Sequence, residues 1–385
     1  MKVLIVAEYY PRAADPVRGV WAHRQAIAAR DAGADVRVLV LHRPLPPLAA
    51  IRRLDARALA SAVRQPGAAT IDGIDVSYVR YLSPPRPLSY GSWGAWAAPA
   101  LGRALTRTAA SFRFELVHAH YAVPAGDAVR RSAPSARLVV SVHGHDVYGA
   151  GMRMPAVSAT LGHARLVLAN SAGTTRRCNE HGAGATRVVH LGTDIPANPP
   201  PAPATPALVT VGHLVARKRH ADVIRALALL SDRHPELGYV IIGDGPERER
   251  LERLAASLGV QSRVALRGQL PHEQAVATAQ AASVFVLPSI EEAFGVAYVE
   301  AMAGAVPAIG CTGEDGPAEI AAAGEGMTLV PPRDPPALAA ALDRLLSDPA
   351  ALAAAGAGAR ATVEREFTWE RCGAATVEAY ELAMD

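Results

Sequence analysis

Cysteine is scarce in this 385-residue chain: Cys178, Cys311 and Cys372 stand far apart, with no C-x-x-C pair. That spacing argues against a disulfide framework and a structural zinc site, and it fits a reducing compartment. Charged residues make up only 19% and half of the residues are apolar, which argues against disorder. Aromatics are 5%, with little interleaving of basic and aromatic residues, so a base-stacking nucleic-acid binder is disfavoured. No apolar run reaches the length of a membrane span without a charge or proline. The opening run Val3–Ala7 ends at Glu8, too short for a secretory core. It reads as a buried strand, and the expectation is a cytoplasmic protein, peripheral at most to the inner membrane face.

What is present is an alternation. Short Val/Ile/Leu runs recur with helical segments between them, the pattern of parallel sheets with crossover helices. Strands are expected at 3–7, 36–41, 116–118, 138–142 and 166–169, and again at 208–211, 239–242, 264–266, 284–287 and 306–309. Between the two sets lies a proline-rich stretch, 196–206, which reads as an interdomain linker. The expected division is a Rossmann-like domain over 1–195, the linker, a second Rossmann-like domain over 207–365, and a helix over 366–385 packing back toward the first domain. Each doubly wound sheet would offer a ligand crevice at the carboxyl ends of its strands, and the two domains would face a shared cleft. Residues 1–195 hold 24 Lys/Arg against 12 Asp/Glu, whereas 196–385 hold 15 against 24, so the halves are suited to different partners.

The segment richest in chemistry is Pro288-Ser289-Ile290-Glu291-Glu292-Ala293-Phe294-Gly295-Val296-Ala297-Tyr298-Val299-Glu300. A strand ends, a loop carries Glu292, and a helix starts near Gly295. Free N–H groups at that start form a diphosphate site. Glu300 lies roughly 7–8 Å along the helix from its start. Glu292 is placed to accept hydrogen bonds from a sugar, and Glu300 from a ribose. The residues alone also allow a capped surface helix with two solvated glutamates. Arg217 and Lys218 precede another helix, where cations are unfavourable without an anionic ligand. Gly243-Asp244-Gly245-Pro246 is a tight turn whose glycines let backbone approach a ligand. His143-Gly144-His145-Asp146 ends a buried strand. It reads as structural or as part of a site, and no other ligand cluster supports a metal there.

These segments resemble the retaining GT-B glycosyltransferases of family 4, also known as glycosyl transferases group 1. The similarity extends through Glu300-Ala301-Met302-Ala303-Gly304, Gly212–Lys218, Arg267-Gly268-Gln269-Leu270-Pro271 and Gly316–Ile320. It covers nearly the whole chain and is tightest after residue 206. The resemblance implies an α/β GT-B fold of two Rossmann-like domains. It also implies transfer of a sugar from a nucleoside diphosphate, uridine for preference, to an acceptor hydroxyl with retention. Lys218, His143 and Glu292 would be catalytic. Gly19, Gly212, His213, Arg217, Lys218, Gly243, Gly245, Gly268, Leu270, Glu292, Ala293, Phe294, Gly295, Val296 and Glu300 would bind the donor. Three positions depart from the family pattern: His213 stands where an arginine is usual, Gly19 keeps one of two loop glycines, and Leu191–Asp194 replaces an asparagine-glycine. Arg217 or Arg219 would supply the cation that His213 does not. No D-x-D occurs, consistent with a metal-independent enzyme without further cofactor. Within the family, the nearest likeness is to enzymes of bacterial cell-surface polysaccharide assembly.

Residues 48–64 have the pattern of a basic amphipathic helix bearing Arg52, Arg53, Arg57 and Arg64. It reads either as a surface for a lipid-linked or phosphorylated acceptor beside anionic membrane, or as a solvated helix packed on its own domain. The competing functions are a nucleotide-sugar epimerase of the same architecture and a non-catalytic nucleic-acid- or membrane-binding protein.

Overall fold

The computed structural model describes residues 1–13, 15–45, 64–144, 146–148 and 154–385, without the side chains of Pro87 and Leu88. Arg52, Arg53, Arg57 and His145 lie outside the described residues; Arg64 is exposed. The chain forms two compact units, Met1–Leu191 with Trp369–Asp385, and Gly192–Thr368. The proline-rich stretch 196–206 thus falls inside the second unit rather than between two units.

Along the described residues the strands of the first unit are β1 (Lys2–Ala7), β2 (Asp35–His42), β3 (Ala68–Ile71), β4 (Ile74–Arg80), β5 (Leu116–His120), β6 (Leu138–Val142), β7 (Leu166–Ala169) and β8 (Thr186–Val188). Their order across the sheet is β3-β4-β2-β1-β5-β6-β7-β8. Only the β3–β4 pairing is antiparallel. The central strands β1, β5 and β6 carry Val/Ile/Leu/Ala runs because helices cover both faces of a parallel sheet. The β3–β4 hairpin was not among the expected strands. Asp72 and Gly73 both take positive φ, 46° and 78°, as a two-residue turn matched to strand twist requires.

The helix Trp369–Met384 belongs to the first unit, packed on the helix Val20–Asp31. Gln25 Nε2 donates to Thr376 Oγ1 at 3.0 Å, and a Cβ at Gly373 would fall 2.2 Å from the Ala28 carbonyl oxygen. Tyr380 reaches the sheet interior, where its hydroxyl lies 2.8 Å from His118 Nδ1.

In the second unit the strands are β9 (Ala207–Val211), β10 (Gly238–Ile242), β11 (Val264–Gly268), β12 (Val284–Val286), β13 (Ala308–Cys311) and β14 (Met327–Val330). They run parallel in the order β11-β10-β9-β12-β13-β14. Strand β13 begins after Pro307, two residues later than expected, since proline lacks the N–H a ladder needs. Leu208, Ile224, Leu227, Tyr239, Ile241 and Leu342 form its core. Chain order reverses between β1 and β5 in one sheet and between β9 and β12 in the other. These switch points are where loops at the carboxyl ends diverge and leave room for a ligand. No helix among the described residues is long and apolar enough to cross a membrane.

The Tyr380–His118 bond joins two fully buried groups, so removing one partner strands the other. Tyr380→Phe is expected to lower the unfolding free energy by about 1–3 kcal/mol, read from urea denaturation of the full chain.

Candidate active site

Two loops flank the switch point of the second unit. The first leaves β9 at Val211 and runs through Gly212 and His213 to a short 3-10 turn, Ala216–Lys218, and the helix His220–Leu229. The second leaves β12, passes Ser289 and Glu292, and starts the helix Val296–Ala303 at Gly295. Ile290 N donates to the Arg217 carbonyl at 2.9 Å, which stitches the loops together. Gly295 has φ 90°, and a Cβ there would lie 2.4 Å from the Tyr298 ring. Glycine is therefore required on two counts. The helix start has no side-chain cap and no acidic residue in its first turn.

Stitching the loops brings Lys218 onto Glu292. Lys218 Nζ lies 2.5 Å from Glu292 Oε2, and their side chains are 12% and 10% exposed. Ser289 Oγ donates to the same oxygen at 2.7 Å, and Arg217 Nη1 stands 3.9 Å away. Burial alone would raise the Glu292 carboxyl; Lys218, Ser289 and Arg217 outweigh it and hold the group below its ordinary value. The Glu292 N–H donates to Glu314 Oε2 at 2.9 Å, and Gly316 N donates to the Glu292 carbonyl at 3.1 Å. Of the three cation candidates, Arg219 is committed elsewhere, with two bonds of 2.7 and 2.9 Å to the buried Asp222. His213 is exposed. Arg217 is the one placed beside Glu292.

Glu300 lies further along the same helix, with His272 Nε2 3.6 Å from its carboxylate. Burial first, and then Asp194, push its carboxyl up to about 7. Ala293 and Phe294 are buried, the latter with its ring 5.6 Å from Phe367, while Val296 is half-buried. Gly243 and Gly245 have a different reason to be glycine from ligand approach. A Cβ would fall 2.0 Å from the Gly212 oxygen and 2.5 Å from the Leu214 oxygen, so their need arises from loop packing on loop. Gly268 bridges to Gly243, and Leu270 is half-buried just beyond.

In the first unit, His143 follows β6. Its Nε2 lies 3.0 Å from His120 Nδ1, and the rings of Tyr121 and Trp21 stand 5.0 and 6.3 Å away. His118 Nε2 pairs with Ser141 Oγ at 2.8 Å. Burial pushes His118 and His143 down to about 3, and drives His120 well below its ordinary value, so all three imidazoles are neutral. Asp146 accepts from the N–H of Ala122 at 2.9 Å and of His143 at 3.4 Å, which assigns it to holding the turn. Burial raises its carboxyl to about 7 against those bonds. Gly19 opens the helix Val20–Asp31 beside Arg18, whose guanidinium lies 4.5 Å from the Tyr9 ring and 3.6 Å from Glu8. Arg86 donates to the Tyr9 hydroxyl.

Sequence reasoning passed over Ser289, Glu314, Asp222 and His120. Ser289 stood within the quoted motif. His118-Ala119-His120 carried the other signal: two histidines on one face at the end of a strand.

Both units thus have the α/β form of the GT-B glycosyltransferases, with loops at a switch point of each sheet. The model described as Glycosyltransferase Family 4 matches residues 18–196, and that described as Glycosyl transferases group 1 matches 194–362. A GDP-mannose-dependent alpha-(1-6)-phosphatidylinositol monomannoside mannosyltransferase of Mycolicibacterium smegmatis is 32% identical over 275 residues, 64% of this chain and 71% of that protein. A D-inositol 3-phosphate glycosyltransferase of Streptomyces bingchenggensis is 34% identical over 45% of this chain and 40% of its own length. Among solved structures, sucrose-phosphate synthase from Thermosynechococcus elongatus superposes with a TM-score of 0.79 at 21% identity, covering 99% of this chain and 98% of its own. HepE of Anabaena, solved with UDP and glucose, gives 0.72 at 19% identity, with 99% of each chain covered. The chain belongs to glycosyltransferase family 4 and has the GT-B fold. Membership favours sugar transfer over the epimerase and nucleic-acid-binding alternatives.

Removing one member of a buried ion pair leaves an uncompensated charge. Lys218→Met is expected to destabilise the ligand-free chain by about 3–5 kcal/mol at neutral pH, and adding Glu292→Gln should recover most of it. The folded carboxyl sits below its ordinary 4.5, so the pair's contribution is complete above that value and lost as acid protonates Glu292. Denaturant melts of the single and double variants at pH 7 and in acid check both the size and the sign.

Proposed function

We propose that this glycosyltransferase moves a hexosyl group from a UDP-sugar to an acceptor hydroxyl, with retention of anomeric configuration and without a metal ion. The observation that carries the reading is the Lys218–Glu292 pair with Arg217, beside the uncapped start of the helix Val296–Ala303. As the bond between the anomeric carbon and the diphosphate oxygen breaks, negative charge grows on the leaving group. Lys218, Arg217 and the helix N–H groups are the preorganised donors for it. Glu292, released from Lys218 by the incoming anion, accepts from sugar hydroxyls, and ionised Glu300 accepts from the ribose. His143 contributes a neutral contact to the sugar. The absence of D-x-D supports a leaving group stabilised by protein cations alone.

The named activities of the M. smegmatis and S. bingchenggensis relatives support an acceptor that is a phosphorylated or lipid-linked polyol, and the positive excess of residues 1–195 suits such an anion. Arg52, Arg53, Arg57 and Arg64 would then face the acceptor or an anionic membrane. A second reading, GDP-mannose as donor, is favoured by the first of those relatives.

A panel of UDP, UDP-sugars, GDP and GDP-mannose tested for protection against thermal unfolding decides between the donors. A ligand at a hundred times its Kd stabilises by about 2.7 kcal/mol. Stronger protection by GDP-mannose would select the second reading, and protection by none would overturn both. Lys218→Ala should lower turnover by roughly 10²–10³ with the chain still folded, and NMR of the product should show the donor's anomeric configuration. Because Glu300 is protonated below about 7, nucleotide affinity should rise as pH increases through that value; Glu300→Gln should flatten the dependence. An equally steep profile in the variant would remove Glu300 from the ribose.

A further inference from the structure

We propose that the first unit carries a ligand groove apart from the candidate active site, between the helix Trp93–Ser111 and the open face of β2, β4 and β3, and that it takes a soluble phosphorylated polyol. The groove lies wholly within one unit and shares no residue with the site above, so it does not rest on the sugar-transfer reading.

Helices normally cover both faces of a doubly wound sheet. On β4, however, Asp75 and Ser77 are exposed while Ile74 and Val76 are buried, so one face stays open at this edge of the sheet. Register sets Thr70, Asp75 and Arg37 side by side across β3, β4 and β2. Strand alternation turns all three to the same face, with Ser77 two residues on from Asp75. The helix Trp93–Ser111 runs beside that face and lines the groove with Arg103 and Arg107, one turn apart on one stripe. The enclosed volume is about 860 Å³, within the usual range for small-ligand sites.

The charge is unbalanced. Arg37, Arg80, Arg103 and Arg107 line the groove against a single carboxylate, Asp75. The helix contributes no acidic residue, and Arg103 and Arg107 are exposed without an ion-pair or hydrogen-bond partner among the described residues. Like charges four residues apart on a helix repel, so an anion between them relieves a cost that the chain does not relieve itself. Arg37 is already aimed: it donates to Ser111 Oγ at 3.2 Å, lies 4.8 Å from the Phe112 ring and stands 3.6 Å from Asp75. Guanidinium forks match phosphate oxygens.

The remaining lining selects the rest of the ligand. Asp75 would repel a bare anion, but beside the hydroxyls of Thr70 and Ser77 it is an acceptor for a ligand's own hydroxyl groups. The groove's one aromatic residue, Tyr78, is buried, which leaves no platform for stacking a base. Its valines and leucine are buried too, and the exposed Leu45, Leu82 and Trp96 lie outside it, so nothing there receives an acyl chain.

Calorimetric titration of the full chain with glucose 6-phosphate, glucose and inorganic phosphate tests the groove. Glucose 6-phosphate should bind saturably and glucose should not. The double variant Arg103→Gln with Arg107→Gln should weaken glucose 6-phosphate about tenfold or more and leave UDP affinity unchanged. Asp75→Asn should weaken glucose 6-phosphate about threefold while inorganic phosphate binds as tightly as before or tighter. Undiminished glucose 6-phosphate binding in the double variant overturns the site. Inorganic phosphate binding as tightly as the sugar phosphate overturns the recognition of a polyol. Arginine-dependent retention on phosphatidylglycerol vesicles, or on an RNA oligonucleotide, without sugar-phosphate binding overturns the ligand class. These measurements need no sugar transfer, so failure of the proposed activity leaves the groove standing.

Discussion

One contact organises the second unit's site: the ammonium of Lys218 against the carboxylate of Glu292. It forms because two loops leave adjacent strands at the point where the sheet's winding reverses, and the Ile290–Arg217 backbone bond fastens them together. A nearly buried pair of this kind is poor value as a stabiliser, since desolvation consumes most of the attraction. The unusual backbone around it, with Glu291 at φ 56° and Gly295 at φ 90°, belongs to the same arrangement. So does Glu314, which accepts from the Glu292 N–H and holds the loop from behind.

The first unit answers with different electrostatics. Its polar cluster at the ends of β5 and β6 consists of neutral imidazoles, a tyrosine and a serine, His118 bonded to Tyr380 and Ser141, and His120 to His143. The second unit's polar groups are charged and paired, Lys218 with Glu292, whereas those of the first are neutral rings. Burial keeps these rings from changing protonation near neutral pH.

Much of the architecture was legible because parallel strands buried on both faces must be apolar throughout, so runs such as Val3–Ala7 and Leu138–Val142 announce themselves. Edge elements escaped. Strands β8 and β14 are short and half-buried, and β3, four residues long, alternates exposed with half-buried positions. The Asp72-Gly73 pair between β3 and β4 is a local hairpin signal, and a hairpin lies outside the strand–helix alternation that marks crossover units. At the site, the helix beginning after Gly295 follows from the Phe294-Gly295 turn and the apolar strand before it. The Lys218–Glu292 contact does not, because the partners are 74 residues apart in the chain and meet only through sheet order. Arg219 illustrates the same limit: its bidentate capture by Asp222, three residues on, depends on a left-handed backbone at 219 that no spacing rule reveals.

The helix Trp369–Met384 has a consequence for how the chain is made. It seals the face of Val20–Asp31, supplies Tyr380 to the buried histidines, and yet leaves the ribosome after every residue of the second unit. The earlier-synthesised unit must therefore wait, with an alanine-lined helix face uncovered, while 177 intervening residues from Gly192 to Thr368 emerge and fold. Maturation of the two units is ordered against their sequence: the one begun first is finished last. A nascent chain of this kind exposes apolar surface for longest at its oldest end, which is where a holding chaperone would find it.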